Sequence, residues 1–482
     1  MPAAFWNKED PPHFDDFPNT ARIFDQVSTT DAALLDRYQA ALGYDRVDEL
    51  AFAAQPALHR PIRQRGVHQV RDIGFRSSYR SHKFPERQAQ MDLLLGAAAN
   101  VTQRREIGFD IYSRSKDDPK YRFPERFQEH VRGSLWYGRM LTAYRAHKVM
   151  LNVNSVVDSP TMLARRVFEI LASGTPVVST RSPAVEHWFL NGEVAIVDDQ
   201  EDAELALRAL VRSPEPRDRK VHLAQRHIWQ HHNFSHRATQ LLNSVGTDNQ
   251  GAWRRPRVSV IAPTMRPNLV SGIIQAARRQ TGVDVHLLLL LHGFEAEKAE
   301  LQALARAAGL TELIVLRTAS DQSLGHNLNA LVSASDGELI ATFDNDDLCG
   351  DHYVADACFA LDYSGAQLVG KEARYIDLQA IDATVPQNPH REHPWSGLVG
   401  AHDGGARATW VETPFAHRTL GEDTTFQRAI LPAGGGIYSA DRFNFIQMRG
   451  ARAGHTWYTE DERLLANGVV QGCGLAAAHV MA

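Results

Sequence analysis

The chain has 482 residues, of which 43% are hydrophobic and 23% are charged, and its formal net charge at pH 7 is −5. This length predicts two to three domains, because single hydrophobic cores stop growing near ~250–300 residues. The composition is that of a soluble globular protein, and the slightly acidic balance excludes general attraction to nucleic acid or anionic lipid.

The cysteines and the first residues of the chain indicate in which cellular compartment the protein is expected. Cys349, Cys358 and Cys473 are odd in number and form no CxxC pattern, which favours a reducing compartment and predicts a cytoplasmic protein. The opening MPAAFWNKEDPPHF is charged and proline-rich where a signal peptide has an apolar core. The longest apolar run, residues 285–291, is far shorter than the ~20 residues that span a bilayer. No transmembrane segment is expected, which leaves peripheral membrane association open.

The first block of the chain, residues 1–246, alternates strand and helix patterns. Strands are predicted at 26–29, 47–53, 70–75, 107–112, 149–153, 175–179 and 194–197, and helices at 31–42, 87–99, 162–173 and 201–212. This alternation predicts an α/β fold with a parallel sheet covered on both faces. A polar segment with Gly, Asn, Asp and Pro follows and predicts a linker at 247–256.

The second block, residues 257–482, repeats the alternation. Strands are predicted at 257–264, 285–291 and 312–316, and helices at 269–279, 296–308 and 324–334. The pattern again predicts an α/β sheet of the nucleotide-binding kind, whose ligands lie outside the carboxyl ends of the strands.

A further strand of this block, predicted at 337–343, runs into Asp344, Asp346 and Asp347. Clustered carboxylates repel one another and are costly to desolvate. A hard divalent cation such as Mg²⁺ or Mn²⁺ explains them best, and such ions keep open positions for substrate phosphates. The cluster therefore favours a nucleotide-diphosphate ligand, and the alternative is a solvated acidic turn.

Four segments of the second block resemble the family-2 glycosyltransferases of the GT-A fold. They are SVIAPTMRP at 259–267, LGHNLNALVSASDGELIATFDNDD at 324–347, GEDTTF at 421–426 and the late His455. The resemblance covers roughly residues 257–460. It implies a hexosyltransferase-type enzyme that inverts the anomeric centre and depends on Mn²⁺ or Mg²⁺. The expected donor is a nucleotide-diphosphate sugar, namely a UDP-sugar, and the expected acceptor is a glycan, glycolipid or glycoprotein.

The resemblance also implies residue roles. Asp344 would contact the nucleotide and the metal, Asp346 would hold the metal, and Asp347 and His455 would support its coordination. Asp423 would be the general base, with Glu422 beside it, because a sugar hydroxyl is a poor nucleophile near neutral pH. The remaining donor contacts are expected from Pro263, Thr264, Arg266, Gly325 and Asn329. As alternatives, Glu422 and Asp423 are first-turn acids favoured by a helix dipole, Asn329 bonds locally, and His455 is an ordinary histidine.

The first block carries a second resemblance. The segment LNVNSVVDSPTMLARRVFEILASGTPVV at 151–178 and FWNKEDP at 5–11 resemble the donor-binding half of GT-B glycosyltransferases of the family-4 type, particularly spore-maturation glycosyltransferase-like proteins. This implies a Rossmann-like domain at 68–246, preceded at 1–67 by the remnant of an acceptor-side domain. Glu169 would accept the ribose hydroxyls, and Arg165 and Arg166 would offset the diphosphate charge without a metal. The alternative is that the two arginines lie on a solvent-exposed face of the helix and that one of them forms an ion pair with Glu169.

Two departures from the second resemblance suggest a scaffold or an unusual acceptor site. Relatives often carry a second glutamate at the position of Thr161, and the acceptor-side stretch at 1–67 is short for a complete domain. His227 and His231 have a zinc-binding spacing, but no third ligand follows, so a surface helix is predicted there.

Two other functions compete with glycosyl transfer. A nucleotidyltransferase would need a Gly-rich basic loop after the first strand, for which 264–267 is a poor match. A non-catalytic nucleotide- or carbohydrate-binding scaffold of a polysaccharide assembly complex is the other alternative, chiefly for the first block.

Overall fold

A computed structural model of the chain describes residues 2–64, 66–79, 85–105, 107–114, 118–247, 255–344, 346–400, 404–450, 461–470 and 472–482. The chain divides into two compact units, Met1–Trp253 and Arg254–Ala482. Both are mixed α/β structures with parallel sheets, as the strand–helix alternation predicts. Among the described residues, none of the helices combines the length and apolar character needed to cross a bilayer.

The first unit contains nine strands and ten α-helices in its described residues. The strands are β1 (Ala4–Asn7), β2 (Gln26–Thr29), β3 (Val47–Glu49), β4 (Arg71–Arg76), β5 (Phe109–Tyr112), β6 (Val131–Gly133), β7 (His147–Asn152), β8 (Val177–Thr180) and β9 (Ala195–Val197). The helices are α1 (Pro18–Ala21), α2 (Leu35–Leu42), α3 (Pro85–Arg105), α4 (Glu125–Gln128), α5 (Tyr137–Ala146), α6 (Arg165–Ala172), α7 (Pro183–Trp188), α8 (Gln200–Arg212), α9 (Pro214–His231) and α10 (Phe234–Ser244).

The main sheet of this unit has six parallel strands in the order β6-β5-β4-β7-β8-β9. Consecutive strands therefore run outward from β4 on one side and from β7 on the other. Between β4 and β7 the order reverses, and in open α/β sheets ligands bind in the crevice at such a point. An apolar core that includes Phe75, Leu95 and Ile111 packs one face of the sheet against α3 and α8.

A smaller parallel sheet, β1-β2-β3, lies in the first quarter of the chain. Thr161 joins it to the loop before α6, because its Oγ1 accepts a hydrogen bond from Ala32 N (2.9 Å) and donates one to Thr30 O (3.3 Å). The Ser159 hydroxyl donates to Asp31 in the same place (2.7 Å). The residue at the position of the expected second glutamate is thus a tether between two parts of the unit.

Helices α9 and α10 carry the histidine-rich segment, and the prediction of a surface helix there is wrong for His232, which is buried. Its ring packs against Phe168, Trp188 and His227. Its Nδ1 lies 2.6 Å from Nη2 of Arg237, so the neutral imidazole accepts a hydrogen bond from the guanidinium. No zinc-type set of three ligands forms in this segment among the described residues.

The buried histidines predict a loss of stability in mild acid. Burial, with Arg237 as the next cause, lowers the pKa of His232 to about 2, and burial lowers the pKa of His236 to about 4. The unfolded chain therefore binds more protons than the folded one below about pH 6.5, and stability falls as the pH drops. We expect His232 alone to account for about 2 kcal/mol between pH 6.5 and 5. Urea unfolding of the H232N variant at both pH values should show a flatter pH dependence.

The exposed His13, which pairs with Asp16, supplies the control. The H13N variant should keep the pH dependence of the natural chain. If H232N keeps it as well, the buried imidazole is not the acid-sensitive group.

The second unit contains β10 (Arg257–Thr264), β11 (Asp284–His292), β12 (Leu313–Thr318), β13 (Leu339–Thr342), β14 (Leu348–Cys349), β15 (Leu368–Gly370), β16 (Arg374–Leu378), β17 (Ala383–Gln387), β18 (Trp395–Ser396), β19 (Gly404–Ala406), β20 (Ile437–Ser439), β21 (Phe445–Arg449) and β22 (Gly472–Cys473). Its helices are α11 (Val270–Arg279), α12 (Lys298–Ala308), α13 (Leu324–Ala334), α14 (Tyr353–Ser364), α15 (Arg407–Glu412), α16 (Glu422–Ile430), α17 (Asp461–Ala466) and α18 (Ala477–Val480).

The larger sheet of this unit has the order β12-β11-β10-β13-β19-β15-β20-β18. The first four strands are parallel, and β19 pairs antiparallel with β13. Strand β11 is a run of leucines because both of its faces are buried, by one apolar cluster that includes Leu289 and another that includes Leu288. The strand order reverses between β10 and β13, so a ligand crevice is expected where these two strands end.

A second sheet, β14-β21-β16-β17-β22, follows the acidic segment. Strand β14 begins directly after Asp347 and pairs with β21, so that Leu348 lies opposite Ile446. Strand β21 also pairs in parallel with β16. This sheet therefore brings residues from late in the chain to the acidic segment.

Candidate functional site

The acidic segment of the second unit lies where β13 ends, at the point of strand-order reversal. Phe343 is buried and its amide donates to Ile261 O of β10 (3.0 Å), whereas Asp344 is exposed. Asp346 and Asp347 are partly exposed. The three carboxylates thus leave the buried sheet together, next to the residues that follow β10.

An arginine from the β10 side reaches this segment. Nη1 of Arg266 lies 2.8 Å from Oδ2 of Asp346, and both side chains are about one-third exposed, at 33% and 30%. The Arg266 amide donates to Oγ1 of Thr264 (3.1 Å), which fixes the turn after β10. Thr264 is buried and Pro263 partly so. The ion pair links the segments that follow β10 and β13.

The second sheet contributes two more arginines. Oδ1 of Asp347 accepts a hydrogen bond from the Met448 amide (2.9 Å), which ties the acidic segment to β21. Burial lowers the pKa of Arg449 and of Arg374. The carboxylates of Asp461, Asp347 and Asp346 oppose the shift at Arg449, and Asp347 opposes the shift at Arg374. Arginine remains charged in proteins, so both guanidinium groups stand within electrostatic range of the acids.

Glu422 is a carboxyl group of this region with a raised pKa. It begins α16, its side chain is buried, and burial together with the Asp423 and Asp344 carboxylates raises its pKa to about 7. Among the described residues, none donates a hydrogen bond to its Oε2. Asp423 is exposed, and its Oδ1 accepts from the Thr424 amide (2.5 Å). A buried carboxyl group that titrates near neutrality has the properties of a general base.

Gly325 and Asn329 contact the chain's own backbone. The Gly325 amide donates to Arg418 O (3.0 Å), and a Cβ at this position would lie 2.0 Å from Ala416 O. The Asn329 side chain both donates to Phe415 O and accepts from Phe415 N, each at 2.9 Å. The close approach at Gly325 is thus to the loop that leads into α16, and the local-bonding alternative holds for Asn329. Both residues position Glu422 through this loop.

In the first unit, Glu169 lies on α6 and is 1% exposed. Its Oε1 accepts from the Tyr137 hydroxyl (3.1 Å) and lies 2.9 Å from Nε of Arg165, and its Oε2 accepts from the Tyr144 hydroxyl (3.4 Å). The pairing with an arginine considered from the sequence is therefore present. A ribose would compete with the two phenols for the carboxylate.

His59 extends these contacts into a chain of hydrogen bonds. Its Nδ1 accepts from the Gln55 amide (2.9 Å), which leaves the proton of the neutral ring on Nε2. Nε2 lies 2.7 Å from the Tyr137 hydroxyl, which in turn donates to Glu169. Burial lowers the pKa of His59, so this ring stays neutral at pH 7. Neither His59 nor Tyr137 belongs to a motif, so sequence analysis did not identify them.

Further cations lie close to Arg165 and Arg166. Nη1 of Arg166 donates to Arg76 O at the end of β4 (2.8 Å), which is the strand-order reversal of this sheet. Burial lowers the pKa of Arg166 and of Lys8, and the positive charge of Arg165 lowers the pKa of both further. The group of Lys8, Arg76, Arg165 and Arg166 gives this crevice a positive character suited to an anionic ligand.

A family match points to the same region. Residues 87–243 match the family model described as "Glycosyl transferase-like". This stretch includes Tyr137, Arg165, Arg166 and Glu169. The match supports the assignment of glycosyltransferase activity to the chain. No curated protein matches the chain.

Several solved structures are similar to part of the chain. The mannosyltransferase PcManGT from Pyrobaculum calidifontis, in complex with GDP-Man and Mn²⁺, is 16% identical with a TM-score of 0.35 over 44% of this chain and 63% of that one. S. aureus TarS 1–349 in complex with UDP-GlcNAc is 16% identical with a TM-score of 0.32 over 44% and 64%. A further crystal structure of S. aureus TarS is 15% identical with a TM-score of 0.30 over 40% of this chain and 37% of that one. The chain spans less than two thirds of each.

The predicted site residues thus form two groups, one in each unit. In the second unit Asp344, Asp346 and Asp347 share one short segment, Arg266 pairs with Asp346, and Glu422 is within electrostatic range of Asp344. In the first unit Arg165, Arg166 and Glu169 lie on one helix. His455 lies outside the described residues. Arg374 and Arg449 were missed because they come from strands of the second sheet, whose pairing with β14 has no motif in the sequence.

Proposed function

We propose that the second unit is a GT-A glycosyltransferase that transfers a sugar from a nucleotide-diphosphate donor, a UDP-sugar in the first instance, to a glycan, glycolipid or glycoprotein, with inversion. The observation that carries the proposal is that Asp344, Asp346 and Asp347 follow β13 where the strand order reverses, and that the Asp344 carboxylate helps to raise the pKa of the buried Glu422. Hard carboxylate oxygens on one short segment suit Mg²⁺ or Mn²⁺.

The chain's own residues have distinct tasks in this proposal. Asp344 and Asp346 hold the divalent ion, which when bound neutralises charge on the departing diphosphate. Glu422, unprotonated above about pH 7, takes the proton from the acceptor hydroxyl as that oxygen attacks the anomeric carbon. Asp423, the base implied by the resemblance, lies next to it and is the competing candidate. Gly325 and Asn329 hold the loop before α16 in place, and this loop sets the distance between Glu422 and the donor.

Donor hydrolysis tests this proposal without a known acceptor. The full chain, incubated with a panel of UDP- and GDP-sugars with and without Mn²⁺, should release the free sugar and the nucleoside diphosphate only when metal is present. Release of pyrophosphate instead would identify a nucleotidyltransferase. Absence of any metal-dependent cleavage across the panel would contradict the proposal.

For the first unit we propose nucleotide or nucleotide-sugar binding without a metal, in the crevice lined by Arg165, Arg166 and Glu169. The support is the positive character of the crevice at a strand-order reversal and the family match over residues 87–243. A non-catalytic scaffold is the second candidate. It is favoured because both oxygens of Glu169 already have partners within the protein.

Replacing Glu169 by glutamine should weaken binding of UDP in EDTA by about tenfold, as expected for loss of one charge-assisted hydrogen bond of ~1.5 kcal/mol. Chelation of metal removes the contribution of the second unit, so calorimetry under these conditions reports the first. The matched control is E186Q, because Glu186 also pairs with an arginine but its side chain is about half exposed. Equal affinity in E169Q and E186Q would remove Glu169 from the ligand site.

A further inference from the structure

We propose that Arg266 is an exchangeable counter-ion: its guanidinium neutralises Asp346 before metal binds, and it moves to the diphosphate of the donor when metal and nucleotide enter. The inference rests on the proposed function of the second unit and goes beyond it. It assigns to one residue the coupling between metal binding and donor binding.

The position of the pair supports this role. Arg266 comes from the turn after β10 and Asp346 from the segment after β13, so the 2.8 Å contact between Nη1 and Oδ2 links the two segments next to which a donor would lie. A guanidinium at this distance occupies one face of the carboxylate that a divalent ion would use. The ion and Arg266 therefore compete for the same oxygen.

The exposure of the pair allows the exchange. Both side chains are about one-third exposed, at 33% and 30%, and ion pairs of this kind contribute little net stability. The Arg266 backbone amide donates to Thr264 Oγ1, so the turn is held by the backbone and does not depend on where the side chain points. The Asp346 carboxylate is therefore shielded by a guanidinium but remains in contact with solvent.

The surrounding charges determine where the Arg266 side chain can bind after it leaves Asp346. Arg374 interacts with Asp347 from the side of the second sheet, and Arg449 interacts there with Asp461, Asp347 and Asp346. These acids already have cationic partners, so a displaced Arg266 gains nothing there. A diphosphate next to the metal offers oxygen pairs that match the planar guanidinium and accept two hydrogen bonds at once. Metal binding alone must break the Arg266–Asp346 pair, whereas metal together with a diphosphate returns a partner to Arg266. The two ligands are therefore expected to bind cooperatively.

Binding measurements on the full chain test the inference without relying on turnover. Electron paramagnetic resonance would give the affinity for Mn²⁺ alone, and the change of that signal with added UDP would give the Mn²⁺-dependent affinity for the nucleotide. In R266Q we expect Mn²⁺ alone to bind about two- to fivefold tighter, because the competing cation is gone. We expect Mn²⁺-dependent UDP binding to weaken at least ~tenfold, because a charged bidentate partner is lost.

Two further variants separate the possible failures. R279Q removes an arginine of the same unit that pairs with the exposed Asp351, and it should leave both affinities unchanged. D346N should lose Mn²⁺ binding at this site. Unchanged or weaker Mn²⁺ binding in R266Q, with D346N still defective, would overturn the counter-ion role while leaving the metal site in place. If D346N binds Mn²⁺ as the natural chain does, the proposed function itself fails.

Discussion

The D346N variant is expected to lose metal-dependent cleavage of nucleotide sugars by at least ~1,000-fold in kcat/KM, a barrier increase of about 4 kcal/mol. Asparagine keeps the size of the side chain but not its charge, so a divalent ion loses a carboxylate ligand. Arg266 at the same time loses its 2.8 Å partner. Hydrolysis of UDP-glucose in Mn²⁺ measures the activity, and a manganese titration measures the metal.

The matched control for this variant is D351N. Asp351 also pairs with an arginine of the second unit, through Nε of Arg279 at 3.2 Å, and is exposed. D351N should retain cleavage and metal binding. If D346N cleaves donors at the rate of D351N, the acidic segment is a solvated turn and not a metal site.

The E422Q variant is expected to lower kcat by about 100- to 10,000-fold, the usual contribution of a general base. In the natural chain kcat/KM should rise with pH and level off above about pH 7. Burial and two neighbouring carboxylates raise the pKa of Glu422 to about 7, and only the unprotonated form accepts a proton. E422Q should lose this rise and keep its affinity for Mn²⁺, since the base is not proposed as a ligand.

Comparison with D423N decides between the two neighbouring acids. Asp423 is exposed, and D423N should keep the rise near pH 7 with a smaller loss of rate. A flat profile in D423N and an unchanged profile in E422Q would reverse the assignment and return the base to the position implied by the resemblance.

Much of the second unit could be predicted from its sequence, because its strands and helices are marked by apolar patterns within the segments themselves. The run 257–264 matches β10 residue for residue, and 324–334 matches α13. Strand β10 has a short apolar core at residues 260–262, and Ser323 caps α13 by accepting from the His326 amide. The acidic segment was recognisable because three carboxylates end an apolar run.

The partners of those acids could not be predicted, because they depend on pairing between distant strands. Arg449 approaches Asp347 only because β14 pairs with β21. In the same way, Gly325 was expected to approach a ligand, but the space next to it is filled by the Ala416 carbonyl. A glycine in the sequence indicates that another group can come close to the backbone, but it does not indicate whether that group is a ligand or another part of the chain.

In the first unit, short or weakly patterned elements escaped prediction. Strands β1 and β6 have four and three residues, and the expected strand at 47–53 is only β3, Val47–Glu49. The long helix α9 begins with two prolines and alternates charged with apolar residues, which obscures a helical stripe. Glu169 was recognised through its motif, whereas its partners Tyr137 and His59 come from elements without one.

Each unit buries an apolar core of its own, one around β4, β5 and α3 and the other on both faces of β11. Cooperative melting is a property of a core, so calorimetry of the intact protein can record two separate events. A small molecule that binds only one unit would then shift one peak and leave the other in place. The transition of the unit that does not bind the ligand then serves as an internal control. A single melting curve of the intact chain can show which unit binds the ligand.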